Sequence, residues 1–380
     1  MGAGEPFFIS YATHQFMRRS QLEAGDVLVS IAGTIGRTAL IHASDLPANI
    51  NQALALVRTD KTRTEPAFLC AFLRSQIGQR LLLGQTVQLA QANISLTQIA
   101  STAIPLPPLP EQRRIAEMLD TVDAAIQQTK ALIAKLKLMK AGLMHDLLTR
   151  GLDKQGHLRD PNAHPKQFKD SPLGRIPREW EVKPVGEVFD MQLGKMLSKA
   201  AKTGLNPFPY LANRNVQWDY VDLSDLEWMD FSEVEREKFS LSPGDLLVCE
   251  GGEVGRTAIW RGEQQECFFQ KAIHRLRPKD SSLVLPSYML RFMRLAVDHG
   301  SLASFSSQTS ITHLTREKFA LLPLTLPQMQ EQTEIVKIFD AHDARIHAEE
   351  AHCDKLKQLK KGLTHDLLSG RMRVQAGAGD

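Results

Sequence analysis

The sequence predicts a mixed α/β fold in which two α/β domains alternate with two long helices. Three observations support this prediction: a long amphipathic helix pattern occurs twice, a strand–turn–strand pattern occurs twice, and a proline-rich segment precedes each helix pattern. The second copy of the helix follows the first by 220 residues, as the step from His145 to His365 shows. A repeat of this length covers a domain together with its helix, so we expect two similar halves.

The first long helix is predicted over residues 111–150, because apolar residues recur there at steps of three, four or seven. This apolar stripe returns in the second copy. Its members are Ile115, Leu119, Val122, Ile126, Ile133, Leu136, Leu143 and Leu147, and then Ile335, Phe339, His342, Ile346, Cys353, Leu356, Leu363 and Leu367. A helix of this length spans about 55–60 Å, more than a compact domain can cover. We expect the two helices to pair with each other; the alternative is two helices that each pack on their own domain.

The α/β part of each half begins with a glycine-bounded strand pair. Gly33 and Gly36 follow one short apolar run, and Gly252 and Gly255 follow the matching run. A phosphate-binding loop would lead directly into a helix. Here a second β-type run follows each glycine pair, so we predict hairpin turns. Another strand is expected in residues 51–58 and 270–277, followed by helices at 66–83 and 286–299.

The proline-rich segments that start at Ile104 and Leu322 are typical of helix beginnings. Residues 151–172 are polar and contain Gly and Pro, which favours a linker. We therefore predict six regions along the chain. These are a first α/β domain (1–108), a first long helix (109–150), a linker (151–172), a second α/β domain (173–326), a second long helix (327–372) and a frayed tail (373–380).

The two halves differ in length before the shared strand pair. The second domain begins near Trp180, 64 residues before Gly244, whereas only 24 residues precede Gly25. By this alignment the first copy lacks about 40 leading residues of the second, among them the counterparts of Trp180 and of residues 210–216. We expect the first domain to be incomplete at its N-terminus.

Composition permits several classes of partner and excludes few. With 23% charged and 43% hydrophobic residues and a net charge of +3, the chain resembles a globular protein that tolerates nucleic acid as a partner without requiring it. The four cysteines form no CxxC pair, which is typical of a reducing compartment. No apolar run approaches the roughly 20 residues of a membrane span. We expect a cytoplasmic protein with no membrane partner.

No residue pattern indicates catalysis or a metal site. His342, His347 and His352 are five positions apart, which places neighbours about 140° apart on a helix instead of on one face. The repeated His145–Asp146 pair favours packing or docking near a helix end, since adjacent helical residues point about 100° apart.

Two segments of the second domain, residues 192–202 and 210–218, combine basic, amide and aromatic residues. Arginine and lysine suit phosphates and guanine, and asparagine and glutamine suit adenine edges. The candidate DNA contacts are Lys195, Lys199, Lys202, Asn213, Arg214 and Gln217.

Taken in order, these features resemble the DNA-specificity subunit of type I restriction–modification systems. The resemblance rests on four features. These are the Ile-Pro-x-x-Trp motif at Ile176 where the second domain begins, the Gly-Asp strand with its glycine turn, the Pro-Leu-Pro-Pro-Leu-Pro-Glu-Gln segment before the long helix, and the His-Asp-Leu-Leu sequence that ends this helix. It covers nearly the whole chain and occurs twice.

The resemblance implies two target-recognition domains that each read half of a split site on double-stranded DNA. It also implies that the helices pair antiparallel as a coiled-coil spacer on which methyltransferase subunits, expected to be two, dock. A nuclease–translocase subunit would join that complex. The chain itself would be non-catalytic, with S-adenosylmethionine, ATP and Mg bound only by the partner subunits.

Six apolar helix residues are the candidates for docking and helix pairing: Leu136, Leu143, Leu147, Leu356, Leu363 and Leu367. Two alternatives remain open on the residues alone. One is the specificity module of a split restriction enzyme outside type I. The other is a coiled-coil scaffold that binds no DNA.

Overall fold

The computed structural model describes residues 7–84, 93–302 and 313–374. The chain divides into two compact units. Unit 1 comprises Met1–Ala134 with His347–Asp380, and unit 2 comprises Lys135–Ile346. Each unit therefore contains one α/β region and parts of both long helices. Within the described ranges, no helix is both long and apolar enough to span a membrane.

Unit 1 is built on a three-stranded antiparallel sheet of order β2-β1-β3. Its strands are β1 (Val27–Ser30), β2 (Thr38–Leu40) and β3 (Leu54–Val57). Helices α1 (Tyr11–Phe16), α2 (Pro66–Arg74), α3 (Gln76–Leu83) and α4 (Leu96–Ala100) complete the α/β region. The predicted hairpin is confirmed, since Gly33 and Gly36 join β1 to β2 with positive φ of 71° and 80°.

Ser75 ends α2 and begins α3, so the helix predicted over 66–83 is interrupted. Its hydroxyl accepts a hydrogen bond from the N–H of Gly78 at 3.0 Å, which caps α3. Leu295 occupies the matching position in the second copy, where it cannot cap, and α8 (Pro286–Asp298) continues through it.

Unit 2 contains a four-stranded sheet of order β11-β10-β13-β7, built from β7 (Phe189–Leu193), β10 (Leu246–Cys249), β11 (Thr257–Ile259) and β13 (Ile273–Pro278). A three-stranded sheet has the order β12-β8-β9, from β8 (Pro207–Leu211), β9 (Glu227–Asp230) and β12 (Phe268–Phe269). Two pairs complete the strands: β4 (Phe168–Ser171) with β5 (Gly174–Pro177), and β6 (Glu181–Pro184) with β14 (Pro323–Leu326). The short helices are α6 (Val185–Val188), α7 (Glu233–Phe239) and α9 (Arg316–Ala320).

The sheets of the two units differ at one edge. In unit 2, β7 pairs with β13 along the register His274 to Leu193. In unit 1, β3 is the counterpart of β13, and in the described part of the chain it is an edge strand. The backbone groups along one side of β3 therefore lack the ladder that β7 supplies in unit 2.

The two long helices are α5 (Leu109–Thr149) and α10 (Met329–Leu368), close to the predicted bounds. In unit 1, Ile115 and Leu119 of α5 share an apolar cluster with Leu367 and Leu368 of α10. In unit 2, Met144, Leu147 and Leu148 share a cluster with Ile335 and Phe339. Burial of the stripe on the facing sides of α5 and α10 explains its helical period.

Most of residues 151–172, predicted as a linker, are exposed, but a few side chains are buried in unit 2. Leu152 and Phe168 are buried, and Phe168 begins β4. Gly151 can approach this core because it has a positive φ of 63° and no side chain; a Cβ there would lie 2.2 Å from Glu331 Oε1. In the predicted tail, Arg373 and Val374 contact Glu111, while residues 375–380 lie outside the described residues.

Candidate nucleic-acid interface

The candidate DNA-reading residues lie in two segments of unit 2 that follow strands β7 and β8. The loop after β8, residues 213–217, is held by the buried Asn215. Asn215 accepts a hydrogen bond from Ala212 N–H at 2.8 Å and donates to the carbonyl oxygens of Asp222 and Asp225 at 2.9 and 3.1 Å. These bonds give the loop a defined shape before any ligand binds.

The same loop contacts the glycine turn between β10 and β11. Asn213 donates from Nδ2 to the Gly251 carbonyl oxygen, and its own carbonyl oxygen accepts from Arg256 Nη2 at 2.8 Å. Gln217 Nε2 donates to the Arg214 carbonyl oxygen at 2.6 Å. The glycine turn between β10 and β11 thus helps to position residues 213–217, the segment predicted to read DNA.

Arg214 and Lys202 are exposed and paired with acidic side chains. Arg214 contacts Asp225 at 3.0 Å and Glu227 at 2.9 Å, and Lys202 contacts Glu227 at 3.2 Å. The Tyr210 hydroxyl also donates to Glu227. Hydrogen bonds from Tyr210, Arg214 and Lys202 lower the pKa of Glu227 to about 2. The carboxylate therefore stays ionised and partly neutralises this surface.

Lys195 differs from the other candidates because its ammonium group is mostly enclosed. Its Nζ donates to the Asp230 carbonyl oxygen at 2.6 Å and to Glu235 at 2.7 Å, and it lies 5.0 Å from the centroid of Phe231. Only 15% of the side chain is exposed. This geometry suits a structural lysine better than a phosphate contact. The side chain of Lys199 lies outside the described residues.

These contacts show what the residue pattern alone missed. The acidic partners Asp225, Glu227 and Glu235 lie 11 to 40 positions from the basic residues they pair with. The acid-rich run from Asp225 to Glu237 was the available signal. Exposed ion pairs contribute little stability, so the pairs that Arg214 and Lys202 form with carboxylates can be broken at low cost.

The six candidate docking and pairing residues are at least half-buried. Leu147 and Leu367 are buried, with 1% and 4% of their surface exposed. Leu143 and Leu363 pack against the cores of unit 2 and unit 1 respectively. Leu136 and Leu356 are half-buried. Four of the six residues, Leu143, Leu147, Leu363 and Leu367, therefore pack against the core of their own unit.

Ion pairs accompany the apolar contacts of the helices and repeat with them. In unit 1, Lys360 donates to Asp123 at 2.6 and 2.7 Å. In unit 2, Lys140 pairs with Asp343. Each member of one pair is 220 positions from its counterpart, from 123 to 343 and from 140 to 360. With Glu111 bound to Arg373 and Glu331 bound to the N–H of Leu152, these contacts show α5 and α10 antiparallel inside each unit.

A family model matches the chain over two regions, residues 11–138 and 177–358, which together make up most of its length. The family is described as the type I restriction modification DNA specificity domain. The chain belongs to this family. The two matched regions coincide with the two halves of the repeat, each with its α/β region and much of the long helix that follows it.

Curated relatives agree with this assignment. The type I restriction enzyme MjaVIII specificity subunit of Methanocaldococcus jannaschii is 22% identical over 316 residues, covering 81% of this chain and 71% of the relative. The EcoKI specificity subunit of Escherichia coli is 22% identical over 332 residues, with 82% and 66% coverage. Family membership favours a DNA-specificity subunit over a scaffold that binds no DNA.

Solved structures share the fold. The HsdS subunit from Thermoanaerobacter tengcongensis matches with a TM-score of 0.53 at 20% identity, covering 93% of this chain and 82% of that one. A chain from a study of assembly and conformational transition of a type I restriction–modification system matches with a TM-score of 0.57 at 19% identity, covering 93% and 83%. At these identities the likeness concerns the fold.

Proposed function

We propose that this chain is the DNA-recognition subunit of a type I restriction–modification complex and that each α/β region reads one half of a two-part site on double-stranded DNA. The observation that carries this proposal is the double family match, one match for each half of the internal repeat. Two similar readers related by a repeat suit two half-sites, as in dimeric DNA-binding proteins. Among the six regions predicted from sequence, 1–108 and 173–326 are the proposed readers.

In unit 2 we assign base readout to the loop at residues 213–217. Its amide and guanidinium groups are the types that recognise base edges in the major groove. Asn215 anchors the loop and Asn213 braces it against the glycine turn, so the loop presents Arg214 and Gln217 from a rigid support. Lys202 is assigned to a phosphate. Lys195 remains a predicted phosphate contact, although its two acceptors favour a structural role.

We further propose that α5 and α10 form a continuous antiparallel pair that holds two methyltransferase subunits and, through them, a nuclease–translocase subunit. Antiparallel contacts within each unit and the likeness to an assembled type I system support this. Chemistry would then belong to the partners, which would bind S-adenosylmethionine, ATP and Mg. The purified chain alone should transfer no methyl group from S-adenosylmethionine to DNA; measurable transfer would contradict its non-catalytic role.

The recognition proposal is tested by co-expressing the chain with the methyltransferase subunit of the same genome and mapping methylated positions by sequencing. The expected result is a single motif with two specified parts separated by a fixed number of unspecified bases. Replacing residues 173–326 with the equivalent domain of another specificity subunit should change one part and preserve the other. A motif without two parts, or a change in both parts, would contradict the proposal.

Single substitutions separate base contacts from phosphate contacts. Gln217→Ala should relax the preference at one position and cost about 1–3 kcal/mol there, because a base-edge contact is local. Lys202→Ala should instead weaken binding to all sequences alike and reduce the salt dependence. An unchanged motif in the Gln217 variant would remove that residue from the reading surface.

The docking proposal is tested with the double variant Leu136→Asp, Leu356→Asp. A carboxylate within the apolar stripe of α5 and α10 lacks a hydrogen-bond partner, and its desolvation costs free energy. The complex with the methyltransferase subunit should therefore be lost. Leu138→Asp is the matched control, since Leu138 lies on the same helix with 75% of its surface exposed. If the double variant still binds the methyltransferase subunit, these leucines do not belong to the buried contact between the helices.

A further inference from the structure

Unit 1 contains a surface cavity of about 340 Å³. One wall is formed by Cys70 and Ala71 of α2, and the facing wall by Leu119, Asp120 and Asp123 of α5. The cavity lies apart from the proposed base-reading loop, which belongs to unit 2. Its lining combines an apolar surface with the carboxylates of Asp120 and Asp123 and with the basic side chains of His42, Arg74 and Lys360.

The internal repeat identifies what occupies the same place in unit 2. Helices α2 and α8 correspond residue by residue, because both begin at a proline, Pro66 and Pro286. A matched glutamine also caps each helix. Gln112 accepts from the N–H of Glu65 at 2.8 Å, and Gln332 accepts from the N–H of Leu285 at 2.9 Å. In this alignment Ala71 corresponds to Arg291.

Arg291 fills the equivalent space in unit 2. Only 9% of its side chain is exposed, and its guanidinium group contacts Asp219 at 3.1 Å, Asp340 at 3.2 Å and Asp343 at 3.0 Å. The guanidinium carbon lies 5.7 Å from the centroid of Phe339. An arginine thus neutralises the helix carboxylates from α8, with an aromatic ring beneath it.

Unit 1 has counterparts of both helix carboxylates, but it has no counterpart of the arginine. Asp120 and Asp123 correspond to Asp340 and Asp343. Asp123 keeps its lysine, since Lys360 donates to both of its oxygens. Within the ranges that the structure describes, no hydrogen bond or ion pair reaches the carboxylate of Asp120. Asp120 is exposed at the mouth of the cavity, and partial desolvation together with the neighbouring charge of Asp123 raises its pKa.

Three basic side chains lie around the carboxylates of the cavity. Arg74 lies in the wall with its Nε donating to the Thr38 carbonyl oxygen at 3.1 Å, and His42 and Lys360 also line the space. Their charges lower the pKa of Asp120, but partial desolvation and Asp123 outweigh them. Asp120 therefore still lacks the direct cationic partner that Asp340 has.

We propose that the cavity binds the guanidinium group of an arginine side chain presented by a protein partner. The occupant would enter from outside and take the position that Arg291 occupies from within unit 2. A planar guanidinium has five N–H donors in a fixed fork and matches carboxylate geometry better than the compact ammonium group of lysine. Cys70, Ala71 and Leu119 would pack against the methylene stem, as apolar surfaces commonly do with arginine.

The experiment titrates the full-length chain with N-acetyl-L-arginine N-methylamide, an arginine held in peptide-like form, and follows binding by calorimetry and ligand-observed NMR. The expected dissociation constant is on the order of 1 mM, as suits one side chain without its flanking contacts. The corresponding lysine compound should bind at least threefold more weakly, and the neutral citrulline compound should show no saturable binding.

Two variants locate the site. Asp120→Asn should weaken binding of the arginine compound at least tenfold. Ala71→Arg should abolish it by supplying the guanidinium from α2, as in unit 2, and should raise the melting temperature. Asp340→Asn is the matched control and should leave arginine binding unchanged, because that carboxylate is already occupied by Arg291.

Equal binding of the arginine and citrulline compounds would overturn the proposal. Binding of the arginine compound to the Asp120→Asn or Ala71→Arg variant as tightly as to the unchanged chain would also overturn it. Free arginine distinguishes the source of the group. Its α-carboxylate and α-ammonium groups have opposite charges and add no net attraction to Asp120 and Asp123, so it should bind no better than the capped compound. Tenfold tighter binding of free arginine would indicate a small-molecule site and contradict a protein partner. These outcomes do not depend on DNA recognition.

Discussion

Glu331→Gln should destabilise unit 2 far more than the matched change Glu111→Gln destabilises unit 1. Glu331 and Glu111 occupy equivalent positions at the beginnings of α10 and α5. Each carboxylate receives an arginine and a backbone N–H, so the two substitutions remove the same charge from similar hydrogen-bond patterns. What differs is how deeply each pair is buried.

The partners of Glu331 are enclosed. Its oxygens lie 2.6 and 3.2 Å from Arg159, whose side chain is 8% exposed, and 3.1 Å from Nε1 of the buried Trp180. Breaking a buried ion pair by removing one partner costs about 3–5 kcal/mol, because the other charge stays buried without compensation. The amide oxygen of glutamine can still accept hydrogen bonds and Glu179 still lies 3.6 Å from Arg159, so we expect a smaller loss of about 2–3 kcal/mol.

The partner of Glu111 is mostly in water. Arg373 has 69% of its side chain exposed, so its guanidinium can be solvated when the carboxylate is lost. Exposed ion pairs contribute about 0.2–1 kcal/mol. We therefore expect Glu111→Gln to cost less than 1 kcal/mol, roughly a third of the cost in unit 2.

Tryptophan fluorescence during urea unfolding measures unit 2 selectively, because all four tryptophans lie in it: Trp180, Trp218, Trp228 and Trp260. With a typical urea dependence of 1–3 kcal/mol per molar, Glu331→Gln should lower the midpoint by about 1 M. Glu111→Gln should leave the fluorescence transition in place. A shift below about 0.2 M for the Glu331 variant, or equal shifts for both, would refute the assignment of stability to this buried pair.

Three further predictions concern the helix pair, the acidic cluster and the sheet edge. Asp343→Asn should cost more than Asp123→Asn, about 2 against less than 1 kcal/mol by urea unfolding and hydrogen exchange of each unit, because Asp343 is 21% exposed and holds both a lysine and an arginine; equal costs would contradict this. The pKa of Glu227 is depressed from 4.5 to about 2, so its contribution to stability is present above pH 4.5 and lost as the pH falls towards 2. Glu227→Gln should flatten the fluorescence-detected stability over that interval, and an unchanged acid slope would count against the hydrogen-bond cluster. Hydrogen exchange should show residues 1–105 opening at lower free energy than residues 173–325, because β3 is an edge strand in the described chain where β13 is covered; equal protection would show that the edge has no such effect.

Local features were predictable because they depend on interactions between residues close in sequence. The long helix expected over residues 111–150 is observed at Leu109–Thr149, since a stripe with helical period and a proline-rich entry are local signals. The hairpin at Gly33 and Gly36 was predicted because a second β-type run follows the glycine pair, and both glycines adopt a positive φ there. Comparing the sequence with itself also revealed the two halves, which the double family match confirms.

The environment of the charged residues was decided by the tertiary structure. Sequence composition selected Lys195 and Arg214 as DNA contacts, but their acidic partners lie on β9, on α7 and in the turn before β9, up to 40 positions away. Likewise, the unpaired Asp120 and the cavity beside Ala71 became visible only when packing placed α2 against α5. The energy of a charge depends on its burial and its neighbours in space. The sequence therefore determined which elements form and repeat, whereas the folded arrangement determined which charges are already satisfied and which remain available to a partner.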